Sequence, residues 1–154
     1  MNKILQKYID TAIRAEELAV NFYSKFSRRF HKDSPLQLLL ESAAKQKVLD
    51  RIYFNALAVK AKLGHYNVKD SKVDFSVALD LNHFFQDIEI VGDHSALKSL
   101  FTRAKGFQDA LVAYYESIAH IFHNEPEFQR ILDYNKSLGE EIQNLMTKVA
   151  DVPE

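Results

Sequence analysis

Between its few glycines and prolines the chain repeats one pattern, apolar residues returning every three or four positions, which is the period of an α-helix and not the alternation of a strand. The spacing predicts a first helix from about residue 3 to about residue 31, with Ile9, Ile13, Ala19, Val20, Tyr23, Phe26 and Phe30 on one stripe, ending at the polar turn His31-Lys32-Asp33. Ser34-Pro35-Leu36-Gln37 reads as the next start: Ser34 caps free amides, Pro35 suits the first turn, and Gln37 completes a capping box. Leu36, Leu39, Leu40, Ala43, Phe54 and Leu57 form the apolar face of this second helix until Gly64 offers a stop. Residues 65–75 are polar and mixed. A shorter amphipathic piece from Ser76 to about Glu89 carries Val77, Leu81, Phe84, Phe85 and Ile88, and Gly92-Asp93 breaks it. A third long helix is expected over about 95–123, through Leu97, Phe101, Ala104, Leu111, Tyr115, Ile118 and Phe122. Asn124-Glu125-Pro126-Glu127 repeats the capping logic before a fourth, which runs to about residue 149 through Phe128, Ile131, Leu132, Leu138, Ile142, Leu145 and Val149.

These elements imply an all-α chain: two antiparallel helical hairpins joined by a long crossover containing a short helix, with no sheet. Nothing in residues 1–154 reads as a linker, so a single domain is expected. The two halves also match at an offset of 92 residues. Asn21-Phe22-Tyr23 aligns with Ala113-Tyr114-Tyr115, Phe30-His31 with Phe122-His123, and Leu36, Leu39 and Leu40 with Phe128, Ile131 and Leu132. An internal duplication is the simplest account.

Composition narrows the chemistry. Hydrophobic residues at 47% supply a sizeable core, and charged residues at 27% an ordinary solvated surface. The formal charge of −1, from 20 basic and 21 acidic residues, creates no field that would favour nucleic acid or an anionic membrane. With no cysteine, disulfides, iron–sulfur clusters, thiolate zinc sites and cysteine nucleophiles are excluded. The first residues, Met1 to Tyr8, enter the amphipathic pattern directly, without a signal-peptide core, and no stretch approaches the roughly 20 apolar residues of a membrane span. A cytoplasmic location is the expectation.

The segment Ala15-Glu16-Glu17-Leu18-Ala19-Val20-Asn21-Phe22-Tyr23 resembles the first helix of a rubrerythrin-type domain, in which a glutamate precedes a Phe-Tyr pair by two turns. The likeness implies a ferritin-like four-helix bundle. In that family each hairpin supplies such a glutamate and then a Glu-x-x-His on its second helix, since residues three apart share a helix face and grip one metal pair together. Carried over residue by residue, the resemblance keeps Glu16 but replaces the other ligands. With Ala44 at the small position, the second-helix glutamate and histidine fall at Lys47 and Asp50. The third-helix glutamate falls at Gln108, and the gapless offset puts the last pair at Gly139 and Ile142. No Glu-x-x-His occurs anywhere; the nearest variant is Asp80-Leu81-Asn82-His83, in the crossover. The motif is confined to the first helix, and the likeness elsewhere is one of architecture.

Lys47 lies on the inward stripe with Leu36, Leu40, Ala43, Phe54 and Leu57, where an ammonium is costly unless paired. Glu16 and Asp50 are the candidate anions, and a lysine-carboxylate cluster with Gln108 beside it is expected to fill the space the family gives to metal. The alternative is a Lys47 that runs its stem out to solvent. Tyr23 and Tyr115 point hydroxyls at the same centre and are expected to bond Glu16, Gln108 or backbone.

Other constellations carry less. Glu116, His120 and His123, at i, i+4 and i+7, have a spacing that could hold zinc or nickel, although histidines in a last turn also suit the carbonyl end of the helix dipole. Arg28, Arg29, His31 and Lys32 make a basic patch of the kind that is usually solvated surface. No glycine-rich phosphate loop, nucleophile elbow or Ser-His-Asp arrangement is present. The expectation is a non-catalytic, cofactor-free interaction or scaffold module, homodimeric as the family commonly is. The alternatives are a di-iron or manganese oxidase, ferroxidase or peroxidase using Glu16, Asp50, Glu140 and Glu141, and a binder of small molecules in the bundle interior.

Overall fold

The computed structural model describes residues 3–66, 68, 75–86 and 97–149. Four long helices dominate: α1 (Lys3–Ser27), α2 (Pro35–Lys62), α4 (Leu97–Ile118) and α5 (Pro126–Val149), with a short α3 (Leu81–Phe85) between the pairs. No strand occurs among the described residues. The expected Ile88 and the Gly92-Asp93 break lie outside them.

Local chemistry sets the helix ends. At the start of α2, Ser34 Oγ accepts from the Gln37 amide at 3.2 Å, and Gln37 Oε1 accepts from the Asp33 amide at 3.1 Å, one residue earlier than in a standard capping box. Its far end closes when Gly64, at φ +78°, donates to Ala61 O while His65 donates to Lys60 O, a Schellman arrangement that glycine accommodates without a Cβ clash. α1 stops at Ser27 and not near residue 31, because Arg28, Arg29 and Phe30 each bond three residues back and tighten the chain. α4 likewise gives way at Ala119 to a 3-10 turn, Ala119–Phe122.

α1 packs along α2, and α4 along α5, each pair antiparallel: Glu16 meets Lys47, while Gln108 meets Asn135 and Tyr115 meets Phe128. The two hairpins share one hydrophobic core. Phe54 of α2 touches the Tyr115 and Phe128 rings at 5.2 and 6.2 Å, and Phe26 of α1 meets Phe101 of α4 at 4.8 Å. Aromatic pairs at such spacings add about 0.5–1.5 kcal/mol each beyond burial.

The described part of the crossover covers the flank of α1 and α4. Phe85 is buried with its ring 4.8 Å from Phe107 and 6.1 Å from Phe22. Gly106 lets Phe84 come close, since a Cβ there would lie 3.3 Å from the Phe84 ring. Tyr8 donates to the carbonyls of Phe75 and Val77, and Arg103 to those of Phe84 and Gln86. No helix among the described residues is long and apolar enough to cross a membrane.

Candidate functional site

A polar cluster sits at the centre of this apolar core. Glu16, Lys47, Asp50, Gln108 and Asn135 are each 0% exposed, as are Tyr23 and Tyr115. The helical repeat places them. Glu16 and Tyr23 stand two turns apart on one face of α1, and Gln108 and Tyr115 stand two turns apart on one face of α4. The tyrosines then cross over: Tyr115 Oη donates to Glu16 Oε1 at 2.5 Å, and Tyr23 Oη donates to Gln108 Oε1 at 2.8 Å.

Lys47 enters from α2. Its Nζ lies 3.6 Å from Glu16 Oε2, donates to Asn135 Oδ1 at 2.5 Å, and lies 5.8 Å from the centre of the Phe107 ring. Asn135 is the hub on α5. Its Oδ1 also accepts from Gln108 Nε2 at 2.8 Å, and its Nδ2 donates to Ile131 O at 2.8 Å, which fixes which way the amide points. Asp50, one turn beyond Lys47, accepts from Gln46 Nε2 at 2.9 Å through Oδ1. Glu16 Oε2 and Asp50 Oδ2 have no hydrogen-bond donor, so the Lys47 charge is what compensates Glu16 Oε2.

Burial governs the titration. Loss of water pushes the Glu16 carboxyl up to about 7 against the opposing pull of Lys47, and the Asp50 charge adds to the rise. Burial likewise raises Asp50, with Lys47 and the Gln46 hydrogen bond working against it. The phenols of Tyr23 and Tyr115 are held well above their ordinary value, chiefly by burial, and so serve as donors.

Of the residues singled out by sequence, Glu16, Lys47, Gln108, Tyr23 and Tyr115 are joined directly, with Lys47 paired to Glu16; Asp50 acts through its charge. Gly139 and Ile142 bring no polar atom. Gly139 lies beside Gln108, where a Cβ would be 3.7 Å from Gln108 Cβ, and Ile142 is fully buried. α5 contributes Asn135 instead, one turn before Gly139. The 92-residue offset pairs Asn135 with the apolar position Ala43, and so hid it; the available signal was a lone amide on the stripe of Ile131, Leu138 and Ile142.

This donor set does not fit a di-iron centre. It offers two carboxylates, Glu16 already bonded to a phenol and Asp50 to Gln46, with an ammonium 3.6 Å from Glu16, two amides and no imidazole. Among the described residues no group of three His, Cys, Asp or Glu side chains is placed to hold a metal. Glu116, His120 and His123 do not form such a group. The change to a 3-10 turn at Ala119 breaks the α-helical spacing, stacks the two imidazoles at 5.8 Å and lets His123 Nδ1 contact His120 O, while Glu116 pairs with Lys136 at 3.9 Å.

A second polar convergence escaped the sequence reading. Glu125, read there as part of a cap, accepts from Lys60 at 3.1 Å, Tyr53 at 3.3 Å and Tyr66, tying the end of α2 to the start of α5. The Tyr66 hydrogen bond, first among these contacts, holds its carboxyl below the usual range. The basic residues Arg28, Arg29 and His31 line a surface cleft with Leu36, Leu145 and Lys148. This and three further surface clefts, near Arg103, Arg14 and Thr11, are not lined by any member of the central cluster.

No protein-family model, curated protein or solved structure matches the chain.

Proposed function

We propose that this chain is a ferritin-like domain of the rubrerythrin type whose metal position has been taken over by a lysine-centred polar cluster, and that it serves as a non-catalytic, homodimeric interaction or scaffold module. The observation that carries this reading is the Lys47 ammonium, fully buried and 3.6 Å from Glu16, the one family carboxylate the chain keeps. Coulomb repulsion between an ammonium and two divalent or trivalent ions a few ångströms away in a poorly solvated interior opposes what the two carboxylates, Glu16 and Asp50, and two amides offer. Lys47 pairs with Glu16 and donates to Asn135 of the other hairpin, so the polar core acts as a fixed strut between hairpins.

The reading also accounts for the reciprocal tyrosine bonds. Residues that would orient metal ligands now bond each other, Tyr115 to Glu16 and Tyr23 to Gln108. The test is metal analysis by mass spectrometry on protein purified without a nickel column and loaded anaerobically with ferrous or manganous ion. Expected are trace metal and an unchanged melting temperature; about two metal ions per chain with a raised melting temperature would replace this reading with a redox enzyme.

A further inference from the structure

Helix α2 is apolar on two sides. Its inward face is Leu40, Ala43, Phe54, Leu57 and Ala61, all buried. On the opposite side, Leu38, Leu49, Ile52, Val59 and Leu63 stand 49–69% exposed, five of the six large hydrophobic side chains that the described residues leave in water. They are not scattered. With Ser42, Lys45 and Ala56, all exposed, they recur at alternating steps of four and three from residue 38 to residue 63, the seam of a coiled coil held for more than three heptads. The run from Leu49 to Leu63 is apolar at every seam position, with Leu38 one further anchor beyond Ser42 and Lys45, and an exposed strip of this kind marks a contact surface.

We propose that this outer face of α2 is the interface of a homodimer in which the α2 helices of two copies pack antiparallel about a two-fold axis lying between Leu49 and Ile52. The register follows from the seam. An antiparallel pair stacks the first seam position of one helix on the second of the other, so Leu49 meets the partner's Ile52, Ser42 meets the partner's Val59 and Leu38 meets the partner's Leu63. Lys45 then lays its stem over the partner's Ala56, the smallest side chain of the seam, and its head group reaches water. Charge agrees with this choice. Beside the seam, half-exposed Glu41 shares a flank with the exposed Lys62 of the partner subunit, twice by symmetry, whereas a parallel pair would set Lys45 of the seam against its own copy. Twenty-six residues of helix are about 39 Å long, and a seam of that length with its flanking stems covers on the order of 800 Å² per copy, the area a stable specific dimer buries.

This inference rests on the homodimeric interaction-module reading and gives that dimer its interface and register. The two fail separately, because metal loading probes the interior and association probes the outside of α2. Sedimentation equilibrium of the full chain is expected to show a dimer, and L49E/I52E to raise its Kd at least about 100-fold while keeping the helical circular dichroism, since both positions are exposed within a chain. The chain has no cysteine, so S42C/V59C supplies the only thiols and is expected to form a disulfide-linked dimer under mild oxidation, which neither single variant does. A wild-type chain that stays monomeric at about 100 µM overturns the proposal. So does a dimer that persists in L49E/I52E, or one that S42C/V59C fails to lock; should L49E/I52E not fold, the cross-link decides.

Discussion

The Tyr115 hydroxyl and the Glu16 carboxylate meet at 2.5 Å across the two hairpins, both without solvent contact. Their counterparts 92 residues away, Tyr23 and Gln108, repeat the bond in the other direction at 2.8 Å. Each hairpin thus donates from the tyrosine of its first helix to the polar residue of the other, the geometry a duplicated hairpin gives when its copies pack about a local two-fold. The second helices break the symmetry: Lys47 corresponds to Gly139 and Ala43 to Asn135, so the long side chain of one hairpin reaches the amide of the other.

Removing either phenol leaves an acceptor buried without its donor. Tyr23→Phe is expected to cost about 1 kcal/mol and Tyr115→Phe about 2 kcal/mol, the larger loss falling where the acceptor is a carboxylate. Urea unfolding measures both; effects within error of zero would show that the crossed bonds do not join the hairpins energetically, and equal losses would overturn the ranking by acceptor charge.

Truncating the lysine strands more. Lys47→Met removes the cation beside Glu16 and one donor from Asn135 Oδ1, with an expected loss of about 3–5 kcal/mol. Glu16→Gln in the same chain neutralises the carboxylate left behind and is expected to restore at least about 1 kcal/mol. A double-mutant cycle reads this coupling, and strictly additive losses would mean that the two groups are not a pair.

The pH dependence has a definite sign. Because burial raises Glu16 from 4.5 to about 7, the folded chain holds a proton that the unfolded chain gives up. Its contribution is therefore complete below about pH 4.5 and declines as pH climbs through about 7; Asp50, also raised, acts in the same direction. The melting temperature is expected to be higher at about pH 5.5 than at about pH 8, and Glu16→Gln is expected to flatten that difference. A wild-type chain more stable at the alkaline end would contradict it.

Much of the architecture was legible because helices are local. The step of three or four residues marked α1, α2, α4 and α5, and Ser34, Pro35 and Gly64 marked the ends of α2. Ends made by chain tightening were less visible: nothing in Ser27-Arg28-Arg29 distinguishes three-residue bonding from one more α turn. In the polar centre, Lys47 was readable since an ammonium on an apolar stripe needs an anion, and Glu16 met that need. Asn135 was not, because an amide places no such demand on its surroundings and its partners, Lys47 and Gln108, are distant in sequence.

The order of residues by itself determined which segments become helices and which positions are apolar, with Lys47 and Gln108 standing out as polar exceptions on apolar stripes. Tertiary packing alone decided that the opposite face of α2 stays uncovered within a chain, leaving Leu49, Ile52 and Val59 in water, and which carboxylate faces the buried ammonium. Periodicity is a property of neighbours along the chain, whereas the choice of face and the pairing of charges depend on the total fit of four helices at once, and no single helix contains that information.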